Sequence, residues 1–283
     1  MAKTVGADNA AAPQPRENFR QKRRRWVKKF GKRLIRTLAA FLGKQSTVGD
    51  EPVFRTEDFD WAMMLQENWG TIRKELDGVL ADHEKLPNFH DISPDQAKIS
   101  KGDNWKTFIL FGFGFKADKN CARCPETTRI LEGIPKLRTA FFSILSPGYH
   151  IPHHRGVTKG VIRGHLALIV PKDRPNCYIR VDTTNCYWEE GKTLVFDDTY
   201  DHEVFNDTPD RRVVLLLDVD RPMRFWGRVI NKAFMTGIRW TAYVQDAKKN
   251  MLSHEDKLEA AVARADGLHI DGDEPPPADT ARK

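Results

Sequence analysis

The chain has 283 residues, 40% hydrophobic and 30% charged, with 46 Lys plus Arg against 39 Asp plus Glu. That composition excludes a wholly disordered polymer, a collagen-like chain and a disulfide-dense scaffold, and the length suffices for one large or two modest cores. The net charge of +7 invites a nucleic-acid reading, but residues 1–50 hold 13 Lys/Arg against 3 Asp/Glu and the remainder holds 33 against 36, so an arm of +10 precedes a body of −3. A body of that sign offers little support for a basic groove, and nucleic acid is not expected as a partner.

Residues 1–17 are small and polar with two prolines and read as a flexible start. Over residues 18–42, Trp26, Phe30, Leu34 and Leu38 recur every four positions, while Arg25, Lys28, Lys29, Lys32, Arg33 and Arg36 fall on the opposite face. The spacing predicts a basic amphipathic helix. It fits an anionic bilayer surface, packing on the body, or nucleic acid, in that order. Residues 57–80, with Trp61, Met64, Leu65, Trp69, Ile72 and Leu76, predict a second helix whose stripe is core packing. Residues 105–115 read as one strand, and 125–131 as a short helix. From 139 the pattern turns to short apolar runs, at 139–146, 161–170, 177–182, 193–197 and 211–219, parted by Pro, Gly, Asn and Asp. Such runs predict an all-β sandwich or barrel without the crossover helices of a parallel sheet.

Beyond Pro222, Phe225, Trp226, Val229, Ile230, Ala233, Phe234 and Ile238 form a broad apolar helical face flanked by Arg224, Arg228, Lys232 and Arg239. Residues 256–265 predict one more short helix, and 271–283 a disordered end. The expected division is a flexible start and basic helix over 1–50, a catalytic domain over 51–223, amphipathic helices over 224–264 and a tail over 265–283. Cys121 and Cys124 make a lone C-x-x-C with no second pair to complete a zinc site, so all four cysteines read as reduced thiols of a cytoplasmic protein. With no secretion signal and no run of 18 apolar residues, the expected location is the cytoplasm, peripheral to the inner face of the membrane.

Histidine placement carries the chemistry. His154 (in IPHHRG) and His202 (in DDTYDHEVFN) lie near opposite ends of the β-rich stretch, where a barrel brings distant strand ends together. Read alone, the pair fits either a metal site or ordinary hydrogen-bonded histidines. Arg212, in RRVVLLLDV, shares a strand face with Val214, Leu216 and Asp218. It is either a rim arginine or an inward cation awaiting a carboxylate.

The stretch from Phe59 to Met223 resembles the aspartyl/asparaginyl beta-hydroxylase family. The matching segments, in the family's order, are QENWGTIRKEL, CPETTRILEGIP, SILSPG, PHHRGVTKGVIRGHLAL, CYIRV, WEEGKTLVFDDTYDHEVFN and RRVVLLLDVDRPM. The resemblance implies a mainly β fold, a double-stranded β-helix (cupin-like jelly roll) with flanking α-helices. It implies Fe(II), 2-oxoglutarate and O2 as cofactors, hydroxylation of an unactivated C–H, and release of succinate and CO2. It assigns His154 and His202 to iron, and Ser143, His165 and Arg212 to 2-oxoglutarate. Arg163 falls to the substrate carboxylate, while Trp188 and the Asp197–Asp198 pair serve structure. His154 is followed by Arg155 and Gly156, so the carboxylate of the usual H-x-D is absent, as in the family. Val161 stands where the animal enzyme has a substrate-gripping arginine. The implied substrate is the β-carbon of a peptidyl Asp or Asn. A membrane-lipid acyl chain, as in similar bacterial lipid hydroxylases, and a non-catalytic cupin-like binding protein are the alternatives.

Overall fold

The computed structural model describes residues 35–270. The expectations for residues 1–34 and 271–283, including most of the basic arm and the end of the tail, lie outside the described residues. Residues 35–45 are helical (α1). There follow β1 (Val53–Phe54), α2 (Asp60–Glu67), α3 (Trp69–Leu80), α4 (Phe89–Ile92), β2 (Trp105–Gly112), β3 (Phe115–Lys116), α5 (Asp118–Arg123), α6 (Pro125–Glu132) and β4 (Leu137–Leu145). The second half holds β5 (Tyr149–His154), β6 (Val161–Ile169), β7 (Cys177–Val181), β8 (Thr184–Tyr187), β9 (Thr193–Phe196), β10 (His202–Asn206), β11 (Arg212–Asp220), α7 (Phe225–Arg239) and α8 (Ala242–Ile270). The strands form a seven-stranded sheet, β1-β9-β6-β11-β4-β2-β3, and a four-stranded sheet, β5-β10-β7-β8. Each neighbouring pair is antiparallel. This is the expected cupin-like double-stranded β-helix with flanking helices.

Strand alternation decides what faces the site. On β11, Val213, Leu215 and Leu217 pack with Leu65, Ile72, Leu76 and Leu131 of the helical layer. Val214 and Leu216, one residue out of phase, pack with Ile179, Val181, Phe196 and Val204 between the sheets. The period of 2 therefore turns Arg212 toward the inter-sheet space, where it is buried. Each fully buried aliphatic side chain stabilises this arrangement by about 1.5–3 kcal/mol.

Four local expectations need adjustment. The helix expected over 57–80 breaks at Asn68 (φ −105°, ψ 7°), whose Nδ2 donates to the Met64 carbonyl at 2.8 Å and ends α2. The strand expected over 105–115 is a hairpin, turned by Phe113 and Gly114 at φ 53° and 79°, the signs of a type I′ turn. The short helix expected over 256–265 is part of α8, which continues past residue 264, where a tail was expected, to Ile270. Strands β5, β8 and β10 carry polar residues on a face turned to solvent, so they show no apolar run. Among the described residues no helix is long and apolar enough to cross a membrane. All four cysteines are buried free thiols, and burial pushes the Cys124 thiol up to about 12.

The turn before β10 is held by Asp197, which is fully buried. Its Oδ1 accepts from the Thr199 amide at 2.9 Å and the Thr199 hydroxyl at 2.6 Å, while Oδ2 pairs with Arg221 and, at 3.0 Å, with Lys159. Burial works against this charge, but Arg221, Thr199 and Lys159 outweigh it and hold the carboxyl below its usual range. A carboxyl depressed in the folded state stabilises above its unfolded value of 3.8, and that contribution is lost as pH falls through the lower folded value. Asp197→Ala should therefore cost about 3–5 kcal/mol at neutral pH. In urea denaturation across pH, the variant should also lose the corresponding part of the acid limb.

Candidate active site

The first residue of β10 and the last of β5 are His202 and His154, and they stand opposite each other in the antiparallel register. Their ring centroids lie 4.1 Å apart. The Nδ1 of His154 is 2.8 Å from the Pro152 carbonyl, and the Nδ1 of His202 is 2.9 Å from the Tyr200 carbonyl. A carbonyl only accepts, so each Nδ1 carries the proton and each Nε2 presents a lone pair. Burial, then the neighbouring imidazole, pushes His202 down to about 3, and burial lowers His154 as well. The local folding thus produces two neutral imidazoles with fixed tautomers, the form in which histidine binds a cation.

An aromatic wall leads from this pair to Arg212. His202 meets Phe196 edge-on at 5.7 Å, Phe196 meets His165 at 5.0 Å, and His165 lies 6.1 Å from Trp188. The Arg212 guanidinium sits 4.6 Å over the Trp188 ring. It is buried, with no carboxylate partner among the described residues; it donates to the Ser143 carbonyl and hydroxyl, both at 3.5 Å. Burial alone pushes Arg212 down to about 10. Four polar atoms on this wall lack hydrogen-bond partners: Nε of Arg212, Nε1 of Trp188 and both ring nitrogens of His165. Buried donors left unsatisfied are costly unless something with oxygens meets them. Desolvation and the Arg212 charge hold His165 well below its ordinary value, so it stays neutral.

The structure brings His154, His202, His165, Ser143 and Arg212 into one inter-sheet region. Arg163 differs, because its guanidinium is already committed. Nε and one terminal nitrogen grip Asp218 at 2.8 and 3.0 Å, and Asp198 lies at 3.2 Å. Sequence reasoning missed three parts of this region. Trp105 donates from Nε1 to the Ser143 hydroxyl at 3.0 Å, which fixes that hydroxyl as an acceptor there. Phe196 lies between two of the histidines. Trp188, read as structural, is the ring under Arg212. Alternation along β9 could have placed Phe196 inward, whereas nothing in the sequence ties Trp105 to Ser143.

The position after Arg155 has a packing reason for being glycine. A Cβ on Gly156 would lie 2.2 Å from Oδ1 of Asp198, so the buried Asp198 carboxylate occupies the room that a side chain there would need. Asp198 itself sits above the ordinary carboxylate range because of burial, with Asp218 and Asp197 acting in the same direction. Gly156→Ala should cost about 1–3 kcal/mol through overpacking. The readout is a lower urea midpoint at an unchanged denaturant slope. Among the described residues no third His, Cys, Asp or Glu gathers with the pair.

Fold and site together define a cupin-like double-stranded β-helix protein with a neutral histidine pair at one end and a buried, unpaired arginine along the wall. Residues 66–222 match the family described as Aspartyl/Asparaginyl beta-hydroxylase, and the chain belongs to that family. It is 43% identical over 217 residues to the ornithine lipid ester-linked acyl 2-hydroxylase of Rhizobium tropici, covering 77% of each chain. It is 32% identical over 163 residues to the human aspartyl/asparaginyl beta-hydroxylase, covering 56% of this chain and 21% of the human one. A Pseudomonas putida prolyl-4-hydroxylase structure aligns with a TM-score of 0.35 at 17% identity, over 54% of this chain and 87% of that one.

Proposed function

We propose that the protein is an Fe(II)- and 2-oxoglutarate-dependent hydroxylase that acts on the acyl chain of a membrane lipid. The observation that carries the cofactor assignment is Arg212, a buried cation stacked on Trp188 with an unsatisfied Nε and no carboxylate of its own. A small dicarboxylate is the chemistry that satisfies it. The histidine pair fits a divalent metal, since both tautomers leave Nε2 free.

In this reading His154 and His202 hold the iron, and Arg212 with Ser143 holds the far carboxylate of 2-oxoglutarate. When bound, Fe(II) supplies O2-dependent hydroxylation of a C–H bond coupled to decarboxylation of 2-oxoglutarate to succinate and CO2. The chain's own contribution is positional. The Pro152 and Tyr200 carbonyls orient the two imidazoles, and Trp188 holds the guanidinium plane. Trp105 sets the Ser143 hydroxyl, and Phe196 with the apolar inter-sheet residues excludes water.

The substrate assignment rests on the relatives and on Arg163. The lipid hydroxylase match is longer and more identical than the human protein match, which reverses the order expected from sequence. Arg163 is neutralised by Asp218 and Asp198, and Val161 brings no charge, so the region offers little to attract an acidic peptide. Hydroxylation of a peptidyl Asp or Asn remains the second reading, favoured by the family as a whole. The test is succinate release under O2 with Fe(II) and 2-oxoglutarate, with ornithine lipid or an Asp-containing peptide added. Lipid should stimulate release and gain one oxygen atom on its acyl chain. Oxygen appearing only on the peptide moves the assignment to the second reading, and an absence of succinate under every condition leaves a non-catalytic cupin-like binder.

A further inference from the structure

Helix α7 divides its broad apolar face: Ile230, Phe234 and Ile238 are half-buried, while the rest is turned to solvent. At roughly 100° per residue, Phe225, Val229, Ala233, Trp226 and the following Trp240 fall within one arc of about 100°. The four large side chains of that arc are 59%, 44%, 65% and 81% exposed for Phe225, Val229, Trp226 and Trp240. The opposite side is the packed one. Gly227 and Asn231 are buried there, and a Cβ on Gly227 would lie 2.5 Å from Cβ of Gln45. An amphipathic helix normally buries its apolar arc against the core, so two tryptophans and a phenylalanine turned to solvent need a separate cause.

The charge beside that arc indicates what covers it. Arg228 and Lys232 border the arc on one side, with Arg224 one turn before Arg228, and the segment from Arg224 to Trp240 contains no Asp or Glu. Among the described residues none of these three cations makes an ion pair. Arg239 stacks over the Phe115 ring at 4.4 Å. Aromatic residues along an exposed apolar arc, with cations along its edge, form the pattern of a helix lying in the plane of an anionic bilayer interface.

The same helix is tied to the chain next to the candidate active site. Nδ2 of Asn231 donates to the Gly160 carbonyl at 2.9 Å, and a Cβ on Gly160 would lie 2.0 Å from Oδ1 of Asn231. Gly160 closes the six-residue loop that leaves β5 immediately after His154 and enters β6 two residues before Arg163. The loop leading from His154 is therefore held on the packed side of α7, one helix diameter (~10 Å) from a surface that engages the exposed arc.

We propose that the exposed face of α7, centred on Phe225, Trp226, Val229 and Trp240, docks the protein on an anionic lipid surface and holds the loop after His154 about one helix diameter from the membrane. The purpose of docking rests on the acyl-chain reading above. The docking itself does not, and it is measured without turnover.

The test uses the full chain in co-sedimentation with vesicles of 30% phosphatidylglycerol in phosphatidylcholine, and with pure phosphatidylcholine. Wild-type protein should bind the anionic vesicles and bind the neutral ones at least tenfold more weakly. The variant Phe225→Ser/Trp226→Ser/Trp240→Ser should lose at least tenfold in binding to anionic vesicles with its thermal midpoint unchanged, because these side chains are exposed. Brominated acyl chains should quench wild-type tryptophan fluorescence, and the quenching should fall in Trp226→Phe/Trp240→Phe, which keeps aromatic bulk. Wild-type binding in the triple variant overturns the proposal and leaves any membrane contact to the N-terminal arm. Self-association that the triple variant abolishes, without vesicle binding by wild type, overturns it too and assigns the face to a second copy. Unchanged binding after serine substitution, or quenching unaffected by Trp226→Phe/Trp240→Phe, counts against it in the same way. Vesicle binding in a protein that turns over no lipid would support the docking face while refuting the acyl-chain substrate.

Discussion

Replacing Arg212 by methionine should make the ligand-free protein more stable while removing the 2-oxoglutarate dependence proposed above. The guanidinium is buried and stacked on Trp188, but its hydrogen-bond partners are only the Ser143 oxygens at 3.5 Å, and Nε is left without one. A buried charge so poorly compensated costs stability, and an apolar residue of similar length relieves that cost by about 1–3 kcal/mol. The same substitution removes the one buried cation on the wall that can meet a distal carboxylate. Loss of a desolvated, charge-assisted pair is worth about 3–5 kcal/mol, which lowers kcat/KM for 2-oxoglutarate by roughly 10²–10⁴. Thermal melts and succinate assays on the same preparation check both halves. A protein destabilised by methionine would show that Arg212 serves the fold, and one that keeps full turnover would remove it from the site.

His202→Ala should abolish turnover at near-wild-type structure. A neutral imidazole with its Nε2 free is half of the two-histidine arrangement proposed above, and its loss should exceed the ~10–100-fold cost of removing a residue that only supports a ligand. The fold pays little by comparison: the Tyr200 carbonyl loses its donor, a cost of about 1–2 kcal/mol. Metal content after Fe(II) loading and gel filtration, measured beside a thermal melt, separates the two effects. Retained metal with lost activity would place His202 in another role.

Much of this was legible in the sequence because burial in a β-sandwich writes a period of 2. The alternation in RRVVLLLDV turned Arg212 to the same side as Val214 and Leu216, and the structure has them between the sheets. The register that sets His154 opposite His202 was not legible. It depends on β5 and β10, whose outer faces are polar and whose pairing is fixed only when both sheets close. Contacts between chain segments far apart were hidden for the same reason. Trp105 reaches Ser143 across 38 positions, and Asp198 fills the space beside Gly156 from another loop. The sequence did mark α7 as amphipathic. Which side faced the core was undetermined, because the choice rests on Gly227 and Asn231 packing against residues 45 and 160.

The central claim is that the histidine pair and Arg212 form one site for Fe(II) and 2-oxoglutarate. It is tested most directly by anaerobic titration of the intact protein with Fe(II) and 2-oxoglutarate, followed by visible absorption. The account predicts a weak metal-to-ligand charge-transfer band that saturates with 2-oxoglutarate, is absent in His202→Ala, and needs far more 2-oxoglutarate in Arg212→Met. No band in the intact protein, or an undiminished band in His202→Ala, would contradict it.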